Sequence, residues 1–372
     1  MWGAEARIAA GVALGIMLAG CGPRGALTID PEAAGVGAVQ PLYVATARGP
    51  GGDANVWGSD RAGQLSFARF AVSVPPERSE GAVTFPDSLP PDPRTDFVTV
   101  SAQNLGDAAG FVRSVNARLA AEPETEGEVL VFTHGFNTNF SEGLYRNAQM
   151  RHDFGTPGLA VHYSWPSGGS VQSYAFDRES AIFAREGLQA TLEALARSNA
   201  RNIVVSAHSM GAMVLMEALR SMALAGSPQF FAKLEAVVLM APDLDIDVFR
   251  GQAVPLAARG VPIYVFYSSR DRALRVSSIL RGSSQRLGSI NDAALVADLP
   301  VTLIDTSTHN DGEDALGHFA VATSPSMIAM IRGMDELGDL ILDDAANNPN
   351  AIEATLNAVQ GVGDSVLSPL AQ

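Results

Sequence analysis

From about residue 105 the sequence alternates between two kinds of segment, and that alternation restricts the fold more than any other feature. The runs 129–133, 159–165, 203–207, 236–241, 263–268 and 301–305 are short, apolar and rich in β-branched or aromatic residues. Continuous apolar runs of this kind are what strands covered on both faces look like. Between them, segments such as 107–121, 141–153, 177–198 and 211–224 repeat apolar residues at three- and four-residue spacing, the period of a helix with one buried side. Strands alternating with helices predict an α/β fold with a mostly parallel central sheet flanked by helices. Ahead of this region, strand-like runs at 41–46, 65–74 and 97–100 are divided by Gly/Pro/Asp clusters such as 86–93. They hold too few apolar residues to close a core of their own, so they read as a β-rich N-terminal segment added to the larger sheet.

Charge and cysteine content narrow the partners. The 40 acidic against 25 basic residues give a net charge of −15. Such a surface repels phosphate backbones, which excludes nucleic acid as a partner. The single cysteine, Cys21, permits neither an intramolecular disulfide nor a cysteine metal cluster. No ligand set for a metal or an organic cofactor is visible, and none is expected.

Cys21 has a context of its own. Arg7 precedes a nearly uncharged stretch, 8–20. As a helix this stretch spans about 20 Å, short of the roughly 30 Å hydrocarbon core, so it fits the apolar region of a secretory signal. It ends in Leu18-Ala19-Gly20-Cys21, which resembles the lipobox of bacterial lipoproteins. The resemblance implies a signal peptide over 1–20, an acylated Cys21 as first residue of the mature chain, and membrane attachment in a bacterial cell envelope. Gly22 in place of Asp after the cysteine implies the outer membrane, facing the periplasm. Residues 21–40, Gly- and Ala-rich, then read as a tether. The expected organisation continues with one domain over 41–325 and, over 326–372, a C-terminal helix and an acidic tail lacking Lys and Arg from Gly333 onward.

The residues that carry chemistry begin with Ala207-His-Ser-Met-Gly, directly after one strand run and directly before a helix-like one. That context suits a nucleophile elbow, in which Ser209 sits on a strained turn with its hydroxyl clear of the backbone. The turn brings strand and helix close, so small residues are needed two positions either side, and Ala207 and Gly211 supply them. A serine hydroxyl needs a base, and the base needs an orienting acid. With this elbow the partners follow in the order Ser, acid, His from later strand ends. Asp271 after the 263–268 run and His318 after the last strand fit that order. Asp243 is the rival acid and His309 the rival base. The oxyanion of a tetrahedral intermediate needs aimed N–H donors, each worth about 2.7–4 kcal/mol. Met210 supplies one and Phe136, beside Gly135, the second, while His134 reads as a brace for that loop. Trp165 reads either as an apolar pocket wall or as part of a rigid loop packed on the core. Asp177 opens a helix, with Arg178 pairing locally.

Taken together, His134-Gly-Phe-Asn, Tyr163-Ser-Trp-Pro-Ser, Asp177-Arg-Glu-Ser, Ala207-His-Ser-Met-Gly, Ala241-Pro-Asp, Ser268-Ser-Arg-Asp-Arg-Ala and Gly317-His resemble a bacterial α/β-hydrolase family within the esterase/lipase superfamily. The resemblance covers about 41–325 and implies the α/β-hydrolase fold with the triad Ser209, Asp271 and His318. The expected activity is hydrolysis of a small-molecule carboxylic ester or related acyl compound. The competing expectation is a non-catalytic cell-envelope module that retains the fold for binding.

Overall fold

The computed structural model describes residues 25–52, 56–281, 285–309, 311, 312, 314 and 316–333. The expected signal peptide, Cys21 and the tail beyond 333 lie outside the described residues. Nine strands form one sheet among them: β1 Ala38–Pro50, β2 Trp57–Val74, β3 Val98–Gly106, β4 Glu128–Thr133, β5 Leu159–Ser164, β6 Asn202–His208, β7 Leu234–Met240, β8 Ile263–Tyr267 and β9 Val301–Asp305. Their order across the sheet is β3-β2-β1-β5-β4-β6-β7-β8-β9. Only β2 runs against the others; every remaining pair is parallel. The main helices are α1 Ala108–Ala121, α2 Phe140–Phe154, α3 Tyr174–Ala196, α4 Gly211–Ala225, α5 Ile246–Ala257 and α6 Arg272–Arg281. This is the mostly parallel, helix-flanked sheet that the apolar runs predict.

Successive side chains on the strands feed opposite faces, which is why the central strands are apolar throughout. Tyr43, Val129, Val131, Ile203, Val205 and Val237 enter a core with Leu188 and Leu192 of α3, Leu215 and Leu219 of α4, and Phe249 of α5. Their neighbours Leu42, Val44 and Ala160 pack on the other face with Phe140, Leu144 and Tyr145 of α2. Each Val, Leu, Ile or Phe among them contributes about 1.5–3 kcal/mol by leaving water.

The three N-terminal strands outrun the expected 41–46, 65–74 and 97–100, β1 at both ends and β3 as far as Gly106. β2 starts at Trp57, earlier than the apolar run at 65, because its outer half (Gly58, Ser59, Asp60, Arg61) is largely exposed and held by pairing with β1 rather than by burial. The described part of the expected tether is also packed on the body. Gly25 N–H donates to Glu142 Oε1 at 3.1 Å, Asn139 Nδ2 donates to Gly25 O, and residues 31–35 form a 3₁₀ turn before β1. Polar ties of this kind leave no hydropathy signal.

The sheet order fixes where a site can form. From β4 the chain goes to β5 on one side, then returns across β4 to β6 on the other. The connections after β4 and β6 therefore diverge and leave a crevice at the carboxyl ends of the central strands, the usual ligand position in such sheets.

Candidate active site

Ser209 stands at that crevice, immediately after β6. Its φ is +52°, a left-handed conformation that costs a non-glycine residue about 1–3 kcal/mol. The neighbouring backbone holds it there: Ser209 N–H donates to Met240 O at 3.0 Å, and Asp243 N–H donates to Ser209 O at 3.2 Å. Gly211 is required by contact. A Cβ there would lie 2.2 Å from His134 O and 2.7 Å from Thr133 O, backbone atoms that cannot yield. The start of α4 is thus pressed against the loop that follows β4.

Ser209 Oγ lies 2.8 Å from Nε2 of His318, and Nδ1 of His318 lies 2.7 Å from Oδ2 of Asp271. Asp271 is fully buried and Ser209 nearly so. Asp271 Oδ1 accepts the N–H of Leu274 in the first turn of α6. The loop carrying His318 turns at Gly317, φ +62°, and is gathered by Asp314, whose carboxylate accepts the N–H groups of Leu316, His318 and Phe319. Burial disfavours charge on the His318 ring, but the Asp271 carboxylate, with Asp314 and Asp243 further off, outweighs it and raises the imidazole above its ordinary value. A hydroxyl, an imidazole and a carboxylate joined in this order can move a proton off the hydroxyl and hold the resulting imidazolium.

The side chains of the rival residues have other partners. Asp243 is buried, its carboxylate accepting from Ser277 Oγ at 2.9 and 3.1 Å with Arg286 Nε 3.4 Å away. Burial pushes its carboxyl up, and Arg286 and Ser277 oppose that. His309 is held by Ser326 Oγ at 2.9 Å, on the outer side of the loop after β9.

The loop after β4 carries Phe136, whose ring meets Tyr174 edge-on at 5.3 Å. Neither the Phe136 nor the Met210 N–H is paired with an acceptor among the described residues. The loop is braced from behind. His134 stacks on Trp165 at 5.1 Å, its Nε2 lies 3.1 Å from Trp165 O, and the indole N–H donates back to His134 O. Trp165 is therefore spent on the core and does not line the cavity at Ser209. That cavity, about 420 Å³, is walled by Phe136, Val171, Tyr174, Leu274, Val276 and Leu316, and beside Ser209 and His318 its polar members are Asn137, His208, Asp243, Arg272 and Ser277. A second cavity of about 320 Å³ lies on the α2 face of the sheet, lined by Phe132, Met150, Val238 and Phe266, and includes none of Ser209, Asp271 and His318.

Two further side chains matter more than the sequence suggests. Arg48, at the end of β1, is buried and donates to Ser164 Oγ and to the carbonyls of Gly58, Ser167 and Thr138. Burial pulls its guanidinium down to about 9, with Asp177 and Glu142 opposing. Asp177, expected only to open a helix, is fully buried and accepts from Ser167 Oγ, Gly168 N–H and Asn137 N–H. The pair pins the loops after β4 and β5 together. The available signal was the position of Arg48, a lone cation closing an apolar strand.

Comparison with known proteins agrees with the fold. A family model described as "Alpha/beta hydrolase of unknown function (DUF900)" matches residues 109–334. No curated protein matches. Among solved structures, a dienelactone hydrolase-like promiscuous phosphotriesterase from metagenomic libraries is 15% identical, with 81% of this chain and 99% of that one covered at a TM-score of 0.36. A structure named m3DLH is 16% identical, covering 56% and 83% at a TM-score of 0.31.

Proposed function

The chain belongs to this family of α/β hydrolases, and on that basis we propose that it is a serine hydrolase that cleaves a carboxylic ester or related acyl compound. The observation that carries the reading is the continuous series Ser209 Oγ, His318, Asp271, with contacts of 2.8 and 2.7 Å at a cavity of about 420 Å³.

In this reading Ser209 Oγ attacks the acyl carbon as His318 Nε2 takes its proton, and Asp271 holds the imidazolium through Nδ1–H. The N–H groups of Met210 and Phe136 receive the charge that develops on the acyl oxygen. Collapse of the tetrahedral intermediate breaks the bond to the leaving group, which takes the proton from His318. Water, deprotonated by the same imidazole, then attacks the acyl-serine and releases the acid and the free hydroxyl. The route draws on no metal or organic cofactor.

A serine-reactive fluorophosphonate should label the protein at Ser209 and leave Ser209→Ala unlabelled. A folded wild-type protein that takes no label would return the chain to the rank of a binding module. For its location we propose attachment to the bacterial cell envelope through acylated Cys21, facing the periplasm from the outer membrane. Mass spectrometry of the mature N-terminus should find acyl chains on that residue; an unmodified cysteine refutes the anchor.

A further inference from the structure

His208, the residue before Ser209, has no part in the proton route just described, yet it touches both sides of the site. Its Nε2 lies 3.3 Å from the carbonyl oxygen of His318. Its ring stacks on Phe319 with centroids 3.8 Å apart and planes 18° apart, and it meets the His318 ring at 4.8 Å and 55°. On the opposite side, Nδ1 stands 2.7 Å from where a Cβ on residue 135 would be, so only glycine leaves room for it. The imidazole is thus wedged between the loop that carries Phe136 and the loop that carries His318.

The His318 peptide unit is held at both ends. Its N–H donates to Asp314 Oδ2 at 2.6 Å, and its C=O faces His208. A carbonyl only accepts, so Nε2 of His208 carries the hydrogen and Nδ1 of the neutral ring carries none. We propose that His208 is a positioning residue: its Nε2–H and ring seat the 318–319 backbone against the Gly135 loop and so set the spacing between the base and the oxyanion donors. The inference rests on the reading of Ser209 and His318 as nucleophile and base. Burial, followed by the neighbouring His318 and by Arg146, whose guanidinium lies 5.5 Å over the Phe319 ring, holds His208 well below the ordinary imidazole value. It therefore stays neutral while His318 titrates. A base displaced by a fraction of an ångström loses much of its effect, which makes such a seat worth a buried hydrogen bond.

The test compares His208→Phe, which keeps a flat ring and loses the donor, with His208→Gln, whose amide N–H has similar reach. Both are made in the full chain and assayed with a p-nitrophenyl ester. His208→Phe should lower kcat about tenfold, the rate equivalent of one hydrogen bond, with KM changed less than about twofold. Its acid limb should move to lower pH, because a loosened contact with Asp271 no longer raises His318. His208→Gln should recover most of both. Unchanged kcat and acid limb in a folded His208→Phe, or equal losses in the two variants, overturn the proposal. In the wild type, nitrogen NMR should find His208 protonated at Nε2, and the opposite tautomer overturns the proposal without any substitution. Failure of the wild type to label with fluorophosphonate would remove the hydrolase reading instead, and the tautomer would still report on the seat.

Discussion

Asp271 holds His318 with one oxygen and the start of α6 with the other: Oδ2 lies 2.7 Å from Nδ1 of the imidazole, while Oδ1 accepts the Leu274 N–H at 2.9 Å. The carboxylate cannot turn without uncapping its own helix, so its aim at His318 is built into the backbone. Asp243 serves a different pair, Ser277 and Arg286. Asp271→Asn should therefore lower kcat by about 10⁴, the loss expected when the orienting acid is removed and the ring can take the wrong tautomer. Asp243→Asn should keep kcat within about tenfold but unfold at lower temperature, since breaking a buried charge pair costs about 3–5 kcal/mol. Steady-state kinetics and thermal melts on both variants separate the two roles, and the reverse pattern would transfer the acid to Asp243.

His309 and His318 separate in the same manner. His309 is bonded to Ser326, away from the cavity. His309→Ala should retain most turnover, while His318→Ala should lose almost all of it, with the melting temperature little changed in either. Ester hydrolysis by the purified variants decides the matter.

The pH profile has a defined direction. In the proposed route His318 acts as a base only when neutral, and Asp271 raises its folded value above that of a free imidazole, about 6.5. Above that raised value the ring is neutral and kcat/KM is at its plateau; below it the rate falls. The acid midpoint should thus lie above about 6.5 and move down in Asp271→Asn, where the main opposing charge is gone. A wild-type midpoint well under 6 would contradict the pairing of His318 with Asp271.

Arg48 offers a test of the supporting shell. Its guanidinium donates to three carbonyls and one hydroxyl behind the Phe136 loop. Arg48→Lys keeps the charge but not the planar fork, and each buried carbonyl left unpaired costs about 1–3 kcal/mol. Lysine should therefore fail to rescue: both Arg48→Lys and Arg48→Met should melt earlier and lose kcat/KM. A lysine variant with wild-type stability and turnover would show that charge alone suffices.

Gly211→Ala tests the close approach of α4 to the β4 loop. The added methyl has only the backbone of Thr133 and His134 to displace, so destabilisation of about 1–3 kcal/mol or more is expected, together with lost labelling of Ser209. Circular dichroism melts and fluorophosphonate labelling measure the two effects.

What the sequence discloses and what it conceals divide along physical lines. The central strands were legible because burial on both faces leaves continuous apolar runs. Ser209 was legible because an elbow needs small residues at fixed offsets. Chain order suited Asp271 and His318 but suited Asp243 and His309 as well, and it is the structure that brings the first two within hydrogen-bond reach of each other and of Ser209. Hidden from the sequence were the outer half of β2, which is polar and held by its ladder, and the bonds of Arg48, whose partner Thr138 lies 90 positions away. Trp165 was ambiguous for a related reason: a large apolar residue after a strand suits either a pocket or a core, and only the His134 ring beside it decides. Asp177 looked like an ordinary first-turn acid, since nothing local records that Ser167 and Asn137 come back to it.

Ser209 and His318 stand 109 residues apart in the chain. The serine is delivered at the centre of the sheet, the imidazole by the loop after its edge strand. During synthesis, then, the growing chain displays its elbow long before it owns a base, and through that interval the hydroxyl is no more reactive than any other serine. Competence arrives only when β9 has joined the sheet and the loop beyond it has closed back over the crevice. Until then the chain carries the hydroxyl without the imidazole that would take its proton.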